Sequence, residues 1–210
     1  MNKVYLIRHG RQNSQRCNVN VELAPEGRRQ AQLLAQRLRQ YPLTALYSSN
    51  LIRAVETAQI ISAVTGLANT VVKGLHEISF GDMEGLPDPY IAKHFEEFHA
   101  RQQKMDCDLA YPGGECGRDV WNRAEPVIRK LAEQANGDIA IVVHGGIIRT
   151  MVAGIFNESF DKKWLVCGTL ENCSITELAY DAAWKRFSVE RVNDYAHLES
   201  EPELLRRNWK

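Results

Sequence analysis

The sequence lacks the features that would assign it to several specialised classes of protein. Its 26 basic and 26 acidic side chains give no net charge, so it has no excess of positive charge for nucleic acid or an anionic membrane. Its first apolar run, residues 4–7, is too short for a signal peptide or a membrane span and ends at Arg8. We therefore expect a cytoplasmic protein with neither nucleic acid nor membrane as a partner.

The cysteines give no sign of a structural role in disulfides or in metal binding. They are odd in number and include no Cys-x-x-Cys pair, which argues against both a disulfide framework and a zinc site. The five cysteines are Cys17, Cys107, Cys116, Cys167 and Cys173. No other cluster has the spacing of metal ligands, so no metal is expected. The chain carries no internal repeat, no low-complexity tract and no signal of its oligomeric state.

What is present is enough for one compact domain. At 210 residues with 44% apolar content, the chain can bury a single sizeable core. Apolar runs typical of buried strands occur at residues 4–7, 43–47 and 139–143, with a weak third strand at residues 71–72. Segments with helical spacing alternate with these strands. The alternation predicts an α/β fold, a mainly parallel sheet with helices on both faces in three layers.

The helices are marked by apolar spacing and by the residues at their ends. One begins at Pro25, a second carries Ala54 and Ile61, and an apolar helix over residues 147–156 follows the strongest strand. Residues 77–115 are rich in Gly, Pro and charge. We interpret this segment as a cap that sets specificity, with a helix over residues 90–103.

The rest of the chain adds one long helix and two strands. Residues 116–135 are predicted to form an amphipathic helix, and late strands are expected at residues 173–180 and 186–192. The charged tail after Ala196 is expected to be peripheral.

The residues that follow the strands carry the chemistry. In open α/β sheets, ligands bind outside the carboxyl ends of the strands. The first strand ends in Arg8 and His9, the second leads to Arg53, the third precedes Glu77, and the fourth ends in His144. We expect these five side chains to meet at one rim.

This set is what phosphoryl transfer through a histidine requires. A neutral imidazole serves as the nucleophile, guanidinium groups hold the phosphate oxygens, and a carboxyl group gives a proton to the leaving group. The helix that begins after Gly145 adds backbone donors for the anion. A lone histidine near a strand end is more often structural, so the spacing of the surrounding residues decides between the two interpretations.

That spacing resembles the histidine phosphatase superfamily, which includes the cofactor-dependent phosphoglycerate mutases. The resemblance covers nearly the whole chain in five blocks. They are Leu6-Ile7-Arg8-His9-Gly10; Leu23-x-Pro25-x-Gly27-x-x-Gln30-Ala31; Ser48-Ser49-x-Leu51-x-Arg53-Ala54-x-x-Thr57-Ala58; Leu75-x-Glu77-x-x-x-Gly81-x-x-Glu84-Gly85; and Val143-His144-Gly145-Gly146.

The resemblance implies a mechanism for each of these residues. His9 attacks the phosphate while Arg8, Arg53 and a protonated His144 hold the oxygens. Glu77 first protonates the leaving oxygen and then takes a proton from water. Neither a metal nor a cofactor is implied, because cationic groups replace the magnesium of other phosphoryl-transfer folds.

The sequence departs from the commonest family pattern just after the first block. Arg11-Gln12 stand where an acidic or small residue and then Thr or Ser often follow, and Gln15 stands where Asn is frequent. Gln15 is therefore a candidate substrate-binding residue. These differences bear on substrate identity, for which sugar phosphates, phosphoglycerates and the ribazole phosphate of cobamide synthesis all stay open.

The resemblance favours a phosphatase that hydrolyses a small phosphorylated metabolite. The interval between Glu77 and His144 is short, and it contains a Pro-Gly-Gly-Glu-Cys stretch at residues 112–116 that resembles the phosphatase branch. A cofactor-dependent phosphoglycerate mutase is the alternative within the family. A non-catalytic module that binds a phosphorylated ligand is the alternative from another class, although binding alone needs neither a nucleophile nor a proton donor.

Overall fold

A computed structural model describes residues 1–166 and 168–208; Cys167 lies outside the described residues. The strands are β1 (Asn2–Arg8), β2 (Leu43–Ser48), β3 (Asn69–Val71), β4 (Asp138–Val143), β5 (Ile175–Asp181) and β6 (Arg186–Asp194). The α-helices are α1 (Pro25–Leu38), α2 (Ile52–Thr65), α3 (Asp88–His94), α4 (Glu96–Gln103), α5 (Gly117–Gln134) and α6 (Gly145–Ile155).

The six strands form one mixed sheet in the order β3-β2-β4-β1-β5-β6. The four strands from β3 to β1 pair in parallel, and the pairings of β5 with β1 and with β6 are antiparallel. In the middle of the sheet, Leu6 of β1 lies between Ile141 of β4 and Thr176 of β5. The mainly parallel sheet expected from the sequence is confirmed.

Successive residues of β1 pack into two separate hydrophobic cores, because side chains alternate between the faces of a strand. Tyr5 and Ile7 pack with the apolar residues of α1 and α2. Val4 and Leu6 pack with those of α5 and α6 on the other face. Helices therefore cover both faces of the sheet, which is the three-layer α/β/α architecture. Burial on both faces also explains why β1 is a continuous apolar run rather than an alternating one.

Two elements differ from the sequence-based expectation. The third strand is Asn69–Val71 and not residues 71–72, because its position at the sheet edge requires no apolar run. The single helix expected over residues 90–103 is two helices, α3 and α4. They are separated at Phe95, whose φ of −120° and ψ of 26° lie outside the helical region and whose ring packs partly buried against the core.

The tail after Ala196 is not peripheral as expected. Leu198, Leu204 and Leu205 are buried, and the Gln30 side-chain amide of α1 donates a hydrogen bond to the Leu204 carbonyl at 2.8 Å. These contacts fold the tail back along α1. Three leucines among many charges give no helical or strand periodicity, so the pattern did not predict burial.

Because β1, β2 and β4 run parallel, their carboxyl ends lie together along one edge of the sheet. Helices α2 and α6 begin at that edge, after β2 and β4. Within the described part of the chain, no helix has both the length and the apolar character needed to cross a membrane.

Candidate active site

His9 follows β1 directly, and hydrogen bonds hold both of its ring nitrogens. Nδ1 lies 2.7 Å from the Gly10 carbonyl oxygen, and Arg53 Nε donates to His9 Nε2 at 3.2 Å. Because a carbonyl oxygen only accepts, Nδ1 carries the proton and Nε2 the lone pair. Burial, and then the charges of Arg53 and Arg8, lower the pKa of His9 well below its ordinary value. His9 is therefore a neutral imidazole at neutral pH.

Arg53 lies in the first turn of α2 and is almost fully buried. Besides bonding to His9, its guanidinium donates to the Val19 carbonyl oxygen at 2.9 Å and to Asn18 Oδ1 at 2.7 Å. All three contacts are made by neutral groups, so among the described residues no carboxylate offsets the charge at hydrogen-bonding distance. The loop after β1 thus holds a guanidinium directly beside the imidazole.

Arg8 is the last residue of β1, on the other side of His9. Its Nη1 donates to the Leu170 carbonyl oxygen, whereas the buried Nε has no hydrogen-bond partner among the described residues. Burial, with repulsion from Arg206 next in size, lowers the pKa of Arg8 to about 9. Arg8 stays cationic at neutral pH and keeps one buried donor that the described part of the protein does not satisfy.

Glu77 is held by two backbone amides. Its Oε1 accepts hydrogen bonds from the amides of Ile78 and Gly146, each at 2.9 Å. A Cβ at position 146 would lie 2.5 Å from Oε1 and 2.7 Å from the Ile78 side chain, so only glycine fits there. Burial raises the pKa of Glu77, although the two amides and the charges of Arg53 and Arg8 oppose the shift. A raised pKa is what a carboxyl group that gives up a proton needs.

Hydrogen bonds from Arg123 of α5 hold the backbone that leads to Glu77. Its guanidinium donates to the carbonyl oxygens of Gly74 and His76 at 2.9 Å and of Glu77 at 3.0 Å. It also makes a two-point ion pair with Glu115, with distances of 2.7 and 2.8 Å. One half-buried guanidinium therefore ties three carbonyls of an irregular segment to a helix.

His144 follows β4 and is fully buried against Ser49, with its Nε2 2.6 Å from the Ser49 hydroxyl oxygen. Its Nδ1 is buried with no partner in the described residues, and its ring centre lies 5.0 Å from that of His9. Burial, and then the neighbouring His9 and Arg53, lower the pKa of His144 well below its ordinary value. The protonated His144 expected from the sequence is therefore disfavoured here, because basic neighbours oppose a second proton.

A larger cavity of about 780 Å³ opens beside His9. Its walls include residues 11–18 of the loop after β1, together with Arg8, Arg53 and Glu77. His144 does not line this cavity, although its ring centre lies 5.0 Å from that of His9. Of the residues predicted to handle phosphate, His9, Arg8 and Arg53 thus face one space. The predicted proton donor, Glu77, faces it too.

Gln15 lines this larger cavity and is exposed to solvent. Neighbouring amide side chains are already engaged, since Asn13 donates to Glu22 at 3.0 Å and Gln12 donates to two carbonyl oxygens of its own loop at 3.2 Å. The structure therefore brings Gln15 to the cavity wall without attaching it to the catalytic rim.

A smaller cavity of about 240 Å³ lies on the other side of Arg8 and Glu77, which line both spaces. Gly145, the first residue of α6, lines only this smaller cavity. A Cβ on Gly145 would meet its nearest neighbours at 3.7 and 3.9 Å, which is ordinary contact, in contrast to Gly146. The two glycines thus differ: both line the smaller cavity, but Gly146 also donates to Glu77, a role that the sequence did not predict.

The loop after His9 is supported by the start of α1. A Cβ on Gly10 would lie 2.6 Å from the Gly27 carbonyl oxygen, so the two backbones approach closely. Gln30 Oε1 also accepts a hydrogen bond from the Arg11 amide at 2.9 Å. These contacts give the second sequence block a physical role.

Two residues that sequence reasoning did not assign also fix the loop around His9. Thr57 accepts from the Gly10 amide at 3.0 Å and donates to the Arg53 carbonyl at 2.7 Å. Asn172 donates to the His9 carbonyl at 2.8 Å. Thr57 was visible in the third block, but Asn172 belongs to no block and gave no signal.

Arg206 is the third residue missed, and it comes from the tail. It lines both cavities, and its backbone amide donates to both oxygens of Glu171 at 3.1 Å. A charged residue near the end of the chain carries no pattern that would place it at an active site.

Together these groups supply a neutral imidazole nitrogen, two guanidinium groups and a carboxyl group with a raised pKa around one space. That combination suits transfer of a phosphoryl group, because cationic forks match the charge and geometry of phosphate oxygens. Over residues 1–166 and 168–208, no three His, Cys, Asp or Glu side chains are grouped so that they could hold a metal ion.

Comparison with known proteins agrees with this chemistry. A family model described as the histidine phosphatase superfamily (branch 1) matches residues 4–195. Phosphoglycerate mutase-like protein 4 of Arabidopsis thaliana is 34% identical over 158 residues, which is 71% of this chain and 69% of that protein. The mouse 6-phosphofructo-2-kinase/fructose-2,6-bisphosphatase 1 is 28% identical over 91% of this chain, which spans only 41% of that longer protein.

One solved structure is similar to this protein over most of the length of both chains. The mycobacterial glucosyl-3-phosphoglycerate phosphatase, in complex with VO3, has a TM-score of 0.82 and 27% sequence identity, covering 92% of this chain and all of the other. The family match extends over all five sequence blocks and every residue of the candidate site except Arg206. The chain therefore belongs to the histidine phosphatase superfamily, whose members named here include both phosphatases and a phosphoglycerate mutase-like protein.

Proposed function

We propose that this protein is a phosphatase that hydrolyses a small phosphomonoester through a phosphohistidine on His9. The observation that carries the proposal is the state of the His9 ring. Its proton is held on Nδ1 by the Gly10 carbonyl, and its Nε2 lone pair meets Arg53 beside the larger cavity. An unprotonated nitrogen beside a fixed cation is what an attack on phosphate needs.

In the first step, the phosphate enters the larger cavity and draws Arg53 Nε from His9 Nε2 to one of its own oxygens. Nε2 then attacks phosphorus, the bond from phosphorus to the ester oxygen breaks, and the Glu77 carboxyl proton passes to that oxygen. The products are a neutral alcohol and a phosphohistidine. Glu77 is left as a carboxylate.

In the second step, the Glu77 carboxylate takes a proton from a water molecule as its oxygen attacks phosphorus. The bond from phosphorus to Nε2 breaks, its electron pair returns to the ring, and inorganic phosphate leaves. One carboxyl group thus acts first as acid and then as base, and each turnover restores it.

The remaining residues would hold the phosphate oxygens. The unsatisfied Nε of Arg8 and the guanidinium of Arg53 are suited to them, with backbone donors near Gly145 at the start of α6. We propose that His144, neutral without ligand, gains a proton when the dianion arrives, because a neighbouring negative charge raises the pKa of an imidazole. These charges would take the place of a metal ion.

Hydrolysis is favoured over mutase activity because water has access to the site. A mutase must shield its phosphohistidine from water, whereas the larger cavity here is bounded by a loop with exposed residues such as Gln15. We propose that residues 77–115 act as the specificity segment, since Phe80 and Tyr111 line the smaller cavity. A phosphoglycerate mutase is the second candidate, supported by the name of the Arabidopsis relative.

The test compares the two reactions on one substrate. Incubation with 3-phosphoglycerate and a trace of 2,3-bisphosphoglycerate should release inorganic phosphate faster than 2-phosphoglycerate forms. Faster isomerisation would make the protein a mutase. A parallel panel of phosphomonoesters, ranked by kcat/KM, would identify the leaving group that the protein prefers.

A further inference from the structure

The hydroxyl group of Ser49 is in direct contact with the second histidine of the site. Ser49 follows β2, and its Oγ lies 2.6 Å from His144 Nε2. Both side chains are fully buried. The backbone amide of Ser49 also donates to the Val142 carbonyl oxygen at 3.0 Å, which holds the serine against the end of β4. The position of the hydroxyl group relative to the ring is therefore fixed by the sheet.

The direction of the hydrogen bond follows from the other contact of this hydroxyl group. The Leu51 amide donates to Ser49 Oγ at 3.4 Å, so the oxygen already accepts from the backbone. Among the described residues, His144 Nε2 is the one acceptor within reach of the hydroxyl proton. If Nε2 donated instead, that buried proton would have no acceptor, which costs free energy. Ser49 is therefore the donor and Nε2 the acceptor.

This direction determines the tautomer of the neutral His144 ring. A neutral imidazole carries one proton, and a nitrogen that accepts a hydrogen bond cannot hold it. The proton is therefore on Nδ1, which is buried and has no partner among the described residues. The ring thus presents an unsatisfied N–H donor. A ligand with acceptor oxygens would satisfy that donor and remove its cost.

The unsatisfied donor lies close to the proposed nucleophile. The ring centres of His144 and His9 are 5.0 Å apart. Burial keeps the ring neutral without ligand, and so do the basic groups that surround it, which in order of effect on its pKa are His9, Arg53, Arg8 and His76. A neutral ring can still donate from Nδ1, so it needs no added proton before a phosphate arrives.

We propose that Ser49 is a positioning residue, which selects the Nδ1–H tautomer of His144 so that this ring donates a hydrogen bond to the phosphate of the substrate. The inference rests on the proposed phosphatase function for the identity of the anion, but not for the tautomer. A proton that His144 later gains from water goes to Nε2, because Nδ1 already carries one. The Ser49 hydroxyl group then turns and accepts from Nε2, since a hydroxyl can do either.

The tautomer can be measured by NMR of protein that contains ¹⁵N-labelled histidine. Without ligand at neutral pH, His144 should show a protonated Nδ1 and an unprotonated Nε2, with its signals assigned by their loss in His144→Gln. Ser49→Ala removes the donor to Nε2, so the proton should move largely to Nε2, the nitrogen that a free neutral histidine side chain prefers to protonate.

Ser48→Ala is the matched control for this measurement. Ser48 is the adjacent residue and is equally buried, but its hydroxyl oxygen accepts from the Asn69 side chain at 2.9 Å and does not contact His144. Its replacement should leave the His144 signals as they are in the wild type. Ser49→Thr keeps the hydroxyl group and should retain the Nδ1–H tautomer.

Inorganic phosphate is the probe for the second half of the inference. Ser49→Ala should raise its Kd by about tenfold or more, the usual effect of losing one hydrogen bond to a charged group. The kcat/KM for p-nitrophenyl phosphate should fall by a similar factor. Ser48→Ala should change neither value, and Ser49→Thr should restore most of the loss.

The outcomes separate the inference from the proposed function. A wild-type ring protonated on Nε2, or a tautomer that Ser49→Ala leaves unchanged, would overturn the inference. A tautomer change with unaltered phosphate affinity would overturn it too, as would equal losses of affinity in Ser48→Ala and Ser49→Ala. All of these results leave the phosphatase function standing. If the wild-type protein hydrolysed no phosphomonoester, the function itself would be wrong, whereas the tautomer measured without ligand would not depend on it.

Discussion

The two cavities that meet at Arg8 and Glu77 differ in how they are built. The larger one is lined by His9 and Arg53, and hydrogen bonds connect these residues to each other and Arg53 to the loop after β1. The smaller one is walled by residues from the 77–115 segment, α6, the segment after α6 and the tail. The difference teaches that the reacting groups depend on residues at and just after the strand ends, whereas the smaller cavity depends on contacts between segments that are distant in sequence.

The largest effect is expected from removing the proposed proton donor, Glu77, which lines both cavities. Glu77→Gln should lower kcat for an alkyl phosphate by roughly two to four orders of magnitude, the usual contribution of general acid-base catalysis. The loss should be much smaller for p-nitrophenyl phosphate, whose leaving group needs little protonation. Equal losses on both substrates, measured under saturating conditions, would show that Glu77 is not the acid.

The position of Glu77 can be tested with two adjacent glycines. Gly146→Ala introduces a Cβ 2.5 Å from Glu77 Oε1, so the carboxyl group must move, and kcat should fall by about a hundredfold. Gly145→Ala meets nothing closer than 3.7 Å and should cost far less. Similar losses in the two variants, with circular dichroism showing that both are folded, would contradict the role of Gly146 in holding Glu77.

The pH profile should reflect both perturbed groups. The free enzyme is active with His9 unprotonated and Glu77 protonated; burial lowers the pKa of His9 and raises that of Glu77. The kcat/KM for an alkyl phosphate should therefore be highest between the lowered pKa of His9 and the raised pKa of Glu77. It should fall about tenfold per pH unit above the raised Glu77 pKa.

Glu77→Gln serves as the control for that profile, because it has no carboxyl group to titrate. Its alkaline limb should disappear once the ionisation of the substrate, with a second pKa of about 6, has been taken into account. An alkaline limb that persists in Glu77→Gln would assign the limb to another group.

The larger cavity was predictable from sequence for a physical reason. Arg8 is the last residue of a buried strand and His9 directly follows it, and a buried parallel strand leaves a continuous apolar run that fixes where the polar residues begin. Glu77 follows no strong strand, and its role was predicted from the sequence block at residues 75–85 that resembles the family. Its support by Arg123 depends on a helix nearly fifty residues away, which no local pattern reveals.

The smaller cavity was not predictable for the opposite reason. Arg206 begins a short 3₁₀ helix in the tail, and its placement depends on tertiary contacts such as those of Glu171 and the buried Leu204. The sequence also predicted a charged His144, because the resemblance describes a ligand-bound site and not the neutral state that burial favours without an anion. Local patterns record burial and turns, but not the charge that neighbouring residues impose.

The smallest effect should come from removing divalent metals. If side chains alone provide the positive charge of the larger cavity, excess EDTA should leave kcat and KM within experimental error. Dialysed enzyme assayed with and without added magnesium is the matched control. Loss of most activity, restored by a divalent cation, would show that Arg8 and Arg53 do not suffice.

The most direct test of the account is the isolation of the phosphoenzyme. Rapid acid-free quenching with radiolabelled substrate should trap a label on His9 that is stable to base and labile to acid, as expected of a phosphoramidate. His9→Ala should carry no label, whereas Glu77→Gln should still be labelled by p-nitrophenyl phosphate. Label that survives in His9→Ala, or turnover without any labelled intermediate, would contradict the claim that His9 is the nucleophile.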